Sequence, residues 1–158
     1  MLALGLDPGT ATTGYGLVRL EPDGGLLAVK YGVITTPKDI PAPERLLILY
    51  DQLQDLLHEH EPDTVAVEKL FFQRNVTTAL SVGQARGVML LALARVGLEV
   101  FEYTPNEIKQ AVASYGSAGK RQMQEMVRVL LELDEIPKPD DAADALAVAI
   151  THLNTKRY

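Results

Sequence analysis

Leu2, Leu4 and Leu6 alternate with Ala3, Gly5 and Asp7, and this period of two predicts a strand with one leucine face and one face of small residues. The strand ends at or just after Asp7, because Pro8 has no N–H to give a ladder and Gly9 admits a turn. A carboxylate is thereby left at the carboxyl end of a strand, on its shallow face, where open α/β sheets take their ligands. A second strand is expected over Thr13 to Leu20. After the turn residues Pro22-Asp23-Gly24-Gly25, a third follows over Leu26 to Thr36. Three strands joined by short turns make an antiparallel meander.

Beyond a loop punctuated by Pro37, Pro41 and Pro43, the pattern changes to helical spacing. Leu46, Leu47, Leu49, Leu53, Leu56 and Leu57 predict a helix over Glu44 to His60, stopped before Pro62. Thr64 to Glu68 then repeats the design of the first strand, with Val65 and Val67 on one face and Thr64, Ala66 and Glu68 on the other. A helix over Val76 to Val96 carries Gly83 and Gly87 on one side, and Leu98 to Tyr103 is a fifth strand. Pro105 opens a short helix to about Ser114, which Tyr115 to Gly119 breaks. Met126, Val129, Leu130 and Leu133 predict another over Gln122 to Leu133. Ile136 to Asp140 introduces a last, alanine-rich helix from Asp141 to about Asn154. This order predicts an α/β fold in one domain spanning 1–158, with a mixed five-stranded sheet flanked by helices. The sheet combines a three-stranded antiparallel meander with two parallel strands added by right-handed crossovers, and Asp7 and Glu68 come from neighbouring central strands.

Asp141 and Asp144 stand three apart and so face the same way on that last helix, while Ala142, Ala143, Ala145, Ala147 and Ala149 keep it thin enough to lie against a sheet. Four acids then converge: Asp7 and Glu68 from strand ends, Asp141 and Asp144 from a helix start. Such groups repel unless a cation sits among them. Oxygen-only ligation suits Mg²⁺ or Mn²⁺, and two ions roughly 4 Å apart form the clamp that serves phosphodiester cleavage. Taken singly, each acid has a plainer explanation: Asp140 reads as a helix cap or a partner of the helix dipole, and Glu68 beside Lys69 could be a surface pair. The conjunction favours the site. His58 and His60 end a helix, where the dipole accounts for them. His152 lies roughly 16 Å along the helix from Asp141, which suits packing or surface.

At 158 residues, 47% hydrophobic and 23% charged, the chain has the composition of an ordinary globular domain. Without cysteine it has neither disulfides nor thiolate metal sites. A net charge of −6 argues against a surface that attracts nucleic acid everywhere and leaves room for a local basic path. No apolar run approaches the roughly 20 residues of a membrane span, and the start reads as a strand, so the expectation is a cytoplasmic protein with no membrane partner.

With these residues in view, the chain resembles the RuvC-type Holliday-junction resolvases of the ribonuclease H-like superfamily. The likeness runs along nearly the whole sequence. It is carried by Leu6-Asp7-Pro8-Gly9 with Thr13-Gly14-Tyr15-Gly16, by Val67-Glu68-Lys69-Leu70-Phe71-Phe72 and by Gly83-Gln84-Ala85-Arg86-Gly87. Phe101-Glu102-Tyr103, Ile108-Lys109-Gln110, Gly116-Ser117-Ala118-Gly119-Lys120 and Asp141-Ala142-Ala143-Asp144-Ala145-Leu146-Ala147 complete it.

The resemblance implies that Asp7, Glu68, Asp141 and Asp144 are catalytic acids and metal ligands for two Mg²⁺ ions, with Mn²⁺ as a substitute. It implies a structure-selective endonuclease that resolves four-way DNA junctions by paired symmetric nicks in recombination and repair. Phe71 matches the aromatic that wedges or stacks at the opened junction, with Phe72 expected in the core; a stacked base is worth roughly 1 to 3 kcal/mol. Lys109 and Lys120 match lysines that contact phosphate, and Arg74, Arg86 and Arg121 could extend a basic track. The helix of Gly83 and Gly87 matches the family's dimer helix, with packing on the chain's own sheet as the competing account. A homodimer suits the two-fold symmetry of a junction. The resemblance also implies a branch-migration motor as partner and a nucleoid association on DNA. A longer basic tail beyond Lys156-Arg157-Tyr158 is not expected.

Two other readings compete. Asp7-Pro8-Gly9-Thr10 and the hairpin after it also resemble the first phosphate loop of the actin and sugar-kinase superfamily, which requires a second lobe. A non-cleaving junction-binding relative on the same fold is the other, and four intact acids argue against it.

Overall fold

The computed structural model describes residues 1–9, 11–69 and 76–156. Its elements follow the order expected from the sequence: β1 (Leu2–Asp7), β2 (Thr12–Leu20), β3 (Leu26–Thr35), α1 (Ala42–His60), β4 (Thr64–Glu68), α2 (Val76–Arg95), β5 (Val100–Tyr103), α3 (Pro105–Ala113), α4 (Lys120–Leu130) and α5 (Asp140–Thr155). The sheet order is β3-β2-β1-β4-β5. β1 pairs antiparallel with β2 and parallel with β4, so the strands that end in Asp7 and Glu68 are neighbours pointing the same way.

The alternation along β1 decides what covers each face. Leu2, Leu4 and Leu6 join Val65, Val67 and the buried leucines of α1 with Met89 and Leu93 of α2 in one core. Ala3 and Ala66 face the other way, into a second core built from α3, α4 and α5 with Val112, Val127, Leu146 and Ile150. The sheet is thus the middle of three layers.

On the second face α5 lies almost in backbone contact with the sheet, and missing side chains make this possible. A Cβ on Gly5 would overlap the carbonyl oxygen of Ala145 and come within 2.6 Å of the Ala149 nitrogen. One on Gly14 would overlap the Asp141 carbonyl. α5 itself is buried from Ala142 through Leu153 apart from Asp144, and its alanines supply the matching thinness.

Most boundaries fall within two residues of expectation, and the largest departure is at the end of α4. α4 starts at Lys120, capped by Gly119, and ends at Leu130 rather than Leu133. Leu131 is drawn into the core, Glu132 takes a left-handed conformation (φ 52°), and the Leu133 N–H closes back on the Arg128 carbonyl at 2.9 Å. α3 has a full capping box, in which the Glu107 N–H donates to Thr104 Oγ1 and the Thr104 N–H donates to Glu107 Oε2. Among the described residues no helix is long and apolar enough to cross a membrane.

Candidate active site

Three of the four expected acids meet at ligand distance. Asp7 at the end of β1 and Asp141 and Asp144 in the first turns of α5 each offer a carboxylate oxygen, all within 4.8 Å of one another. The convergence follows from the tight seat of α5: with Gly14 beneath Asp141, the helix start is pressed onto the strand pair that carries Asp7. Glu68 falls outside that trio and adjoins it, sharing a hydrogen bond with Asp7 and sensing the charge of Asp144.

The electrostatics are those of crowded like charges. Burial, followed by the fields of Glu68, Asp144 and Asp141, pushes the Asp7 carboxyl up to about 8. Glu68 and Asp144 are raised as well, burial again being the chief cause, with Lys109 pulling Glu68 and Lys120 pulling Asp144 the other way. The hydrogen bond between Asp7 and Glu68 works on the two in opposite senses, pushing the Asp7 carboxyl up and the Glu68 carboxyl down. Acceptor-only oxygens pressed together in this way fit a hard divalent cation, which would relieve the repulsion that now forces a proton onto the cluster.

A cavity of about 310 Å³ opens beside Glu68 and Asp144. Lys109 of α3 and Lys120 of α4 stand on its wall, over Ile108, Met123, Ala118 and Ala147. Lys120 is paired with Asp140 at 3.0 Å, both side chains well exposed. Of the two roles expected of Asp140, cap or partner of the helix dipole, it has the second, lying in the first turn of α5. The cap position belongs to Pro139 and makes no side-chain bond, while Asp140 accepts from Lys120 and from Gln124 Nε2. Arg121 is exposed at the start of α4 and does not line the cavity. Phe71, Phe72 and Arg74 lie outside the described residues.

Among the described residues, Gly83 and Gly87 have nothing within 4 Å of the position a Cβ would take, so they do not pack on the described sheet. With Val76 (84% exposed), Leu80 (63%) and Leu91 (62%) they form an apolar stripe along α2 that is uncovered among the described residues.

Two arrangements escaped the sequence reading. Arg86 turns away from any basic track, donating to the Glu68 carbonyl oxygen and pairing with Glu102. His152 is wholly buried and hydrogen-bonded through Nε2 to Thr64 Oγ1 (2.7 Å) and through Nδ1 to the Tyr103 hydroxyl (2.9 Å), with its ring stacked on Phe101. Burial holds its imidazole down at about 4. Packing, one of its two expected roles, is the one it has.

A mixed five-stranded sheet of this order, with acids at the carboxyl ends of two adjacent central strands and on the helix laid across them, defines a ribonuclease H-like nuclease. The family profile described as crossover junction endodeoxyribonuclease RuvC matches residues 3–152. This chain belongs to the RuvC family and is an endodeoxyribonuclease.

The crossover junction endodeoxyribonuclease RuvC of Chloroflexus aggregans is 62% identical over 156 residues, covering 98% of this chain and 94% of that protein. Its counterpart from Desulfitobacterium hafniense is 59% identical over 155 residues, covering 98% and 93%. Among solved structures, Thermus thermophilus RuvC superposes with a TM-score of 0.90 at 38% identity, over 98% of this chain and 94% of that one. T. thermophilus RuvC in complex with Holliday junction substrate gives 0.89 at 36% identity, with the same coverage. The match along the chain sets aside the actin and sugar-kinase reading. Divalent metal use comes with the family, and the acid trio is compatible with it.

Proposed function

We propose that this chain, a single nuclease domain over 1–158, resolves four-way DNA junctions by paired symmetric nicks in recombination and repair. Asp7, Glu68, Asp141 and Asp144 are its catalytic acids. The observation that carries the reading is the meeting of Asp7, Asp141 and Asp144 within 4.8 Å inside a RuvC-family fold.

These acids hold Mg²⁺, two ions per site, with Mn²⁺ able to substitute. When bound, the cations supply the charge that makes water a nucleophile and stabilises the leaving oxygen of a phosphodiester. The chain's own groups do the rest. Lys109 and Lys120 take phosphate oxygens at the cavity beside Glu68 and Asp144, a reading supported by their place on its wall. DNA competes with Asp140 for Lys120, and because that pair is exposed its loss costs little. Arg121 and Arg74 extend the basic path, and Phe71 stacks at the opened centre of the junction.

Two sites must act on two strands, and the apolar stripe of Val76, Leu80, Gly83, Gly87 and Leu91 supports an isologous homodimer. A branch-migration motor delivers the junction, and the protein works in the cytoplasm, on the nucleoid. The T. thermophilus relative solved with Holliday junction substrate supports the choice of DNA.

The test is a labelled four-way junction beside a linear duplex of matched sequence, each with and without Mg²⁺. Paired nicks confined to the junction and dependent on Mg²⁺ are expected. Equal cutting of the duplex would overturn the reading, as would junction binding with no cleavage.

A further inference from the structure

We infer that Arg86 is a positioning residue for Glu68, and that it supplies the hydrogen bond that Pro8 withholds. The β1–β4 register pairs Leu6 with Val67, and one step further sets Asp7 opposite Glu68. In a parallel ladder the carbonyl of a residue accepts from the N–H one place beyond its opposite number. Because the Lys69 N–H is turned toward β5, donating to Tyr103, the Glu68 carbonyl is turned toward β1. The N–H it would meet there belongs to residue 8, and proline has none. A carbonyl at the heart of the site would be left without a ladder partner, at a cost.

The Arg86 guanidinium fills that place. Nη1 donates to the Glu68 carbonyl oxygen at 3.3 Å, while Nη2 pairs with Glu102 on β5. The Arg86 side chain is only 16% exposed, so it is held between α2 and the end of the sheet and does not reach outward to solvent. Glu102 neutralises its charge locally. What remains is a clamp from α2 with one prong on the last peptide of β4 and the other on the Glu102 side chain of β5.

The clamp matters because Glu68 stands beside carboxyls that repel it. A strand end without a lateral bond would let the Glu68 side chain swing away from Asp7 and Asp144. With the clamp, the peptide carrying it is fixed from both sides, by Tyr103 through Lys69 and by Arg86 directly. Partners of this kind, one step removed from ligands, typically change metal affinity or activity 10- to 100-fold when lost.

This inference rests on the reading of Glu68 as a catalytic acid, so the experiment carries Glu68→Gln beside Arg86→Ala, Arg86→Lys and Glu102→Gln. Full-length variants are compared by junction affinity and its salt dependence, by cleavage rate at saturating junction, and by titration with Mn²⁺ alone. Arg86→Ala should lower the saturating rate roughly 10- to 100-fold and weaken Mn²⁺ binding, with junction affinity and salt slope unchanged. Arg86→Lys should recover part of both losses, and Glu102→Gln should lose less than Arg86→Ala. A contact with DNA phosphate would instead weaken junction binding and reduce the salt slope by about one, which would overturn the inference. Unchanged rate and Mn²⁺ affinity in Arg86→Ala and Arg86→Lys, with Glu68→Gln inactive, would overturn it alone. An active Glu68→Gln would remove the reading beneath it.

Discussion

Gly14 lies directly beneath Asp141: a Cβ on the glycine would overlap the aspartate's carbonyl oxygen and stand 3.1 Å from its Cβ. The pair fixes how close α5 can come to the sheet, and hence how close Asp141 and Asp144 come to Asp7. Because the obstacle is backbone, no side chain can rotate to make room. Gly14→Ala should cost about 1 to 3 kcal/mol, visible in urea unfolding, and slow Mg²⁺-dependent cleavage well beyond the loss of folded protein. Cleavage at the wild-type rate would mean that the helix start has more play than its seat allows.

Asp7→Asn removes one charge from a crowded set. The Asp7 carboxyl is held at about 8 against 3.8 for an ordinary aspartate, so the folded protein binds a proton there that the unfolded chain releases. That contribution favours folding at low pH and works against it increasingly as pH rises toward 8. Without Mg²⁺, Asp7→Asn should therefore be more stable than wild type at pH 8, by about 1 to 3 kcal/mol or several degrees in Tm. It should still bind a junction and should not cleave it. Retained cleavage would remove Asp7 from the catalytic set.

His152 titrates in the opposite sense. Its folded pKa of about 4 lies below the ordinary 6.5, so between those values the unfolded chain takes up a proton that the buried ring refuses. Its share of stability is complete above pH 6.5 and drains away as the solution is acidified toward pH 4, by about 2 to 3 kcal/mol. His152→Gln should be less stable at neutral pH and should lose less on acidification. The difference between the two unfolding curves, measured at intervals from pH 7.5 to 4.5, isolates this group from the carboxylates.

Gly83 separates folding from assembly. With open space around it among the described residues, Gly83→Ala should raise the stability of α2 by up to about 1 kcal/mol through helix propensity. Gly83→Glu should leave the fold intact and weaken self-association, read by sedimentation across a dilution series. Unchanged association would place the dimer contact elsewhere.

Period and punctuation made most of the fold legible. Alternation in β1 and β4 set Asp7 and Glu68 on the small-residue face, and the alanines of α5 announced a helix lying close to a sheet. The first-turn place of Asp140 was legible, but its pairing with Lys120 was not, because position in a helix is visible in sequence while the reach of a side chain from another helix is not. Arg86 looked like surface cation for the same reason. Its true partner is a backbone carbonyl, which carries no residue signature, and the clue lay in Pro8 once the strand register was known. The buried contact of His152 with Thr64 and Tyr103 joins three elements far apart in sequence, and periodicity reports only one element at a time.

A helix seated on glycines cannot drift outward to ease the crowding at its tip. The strain of assembling those carboxyls is therefore locked in during folding, and only protons or cations can discharge it. An ion that binds the native form alone adds its binding free energy to the fold. Starved of divalent ions, such a nuclease would be silent and short-lived together, so one supply governs both how fast it cuts and how long it survives.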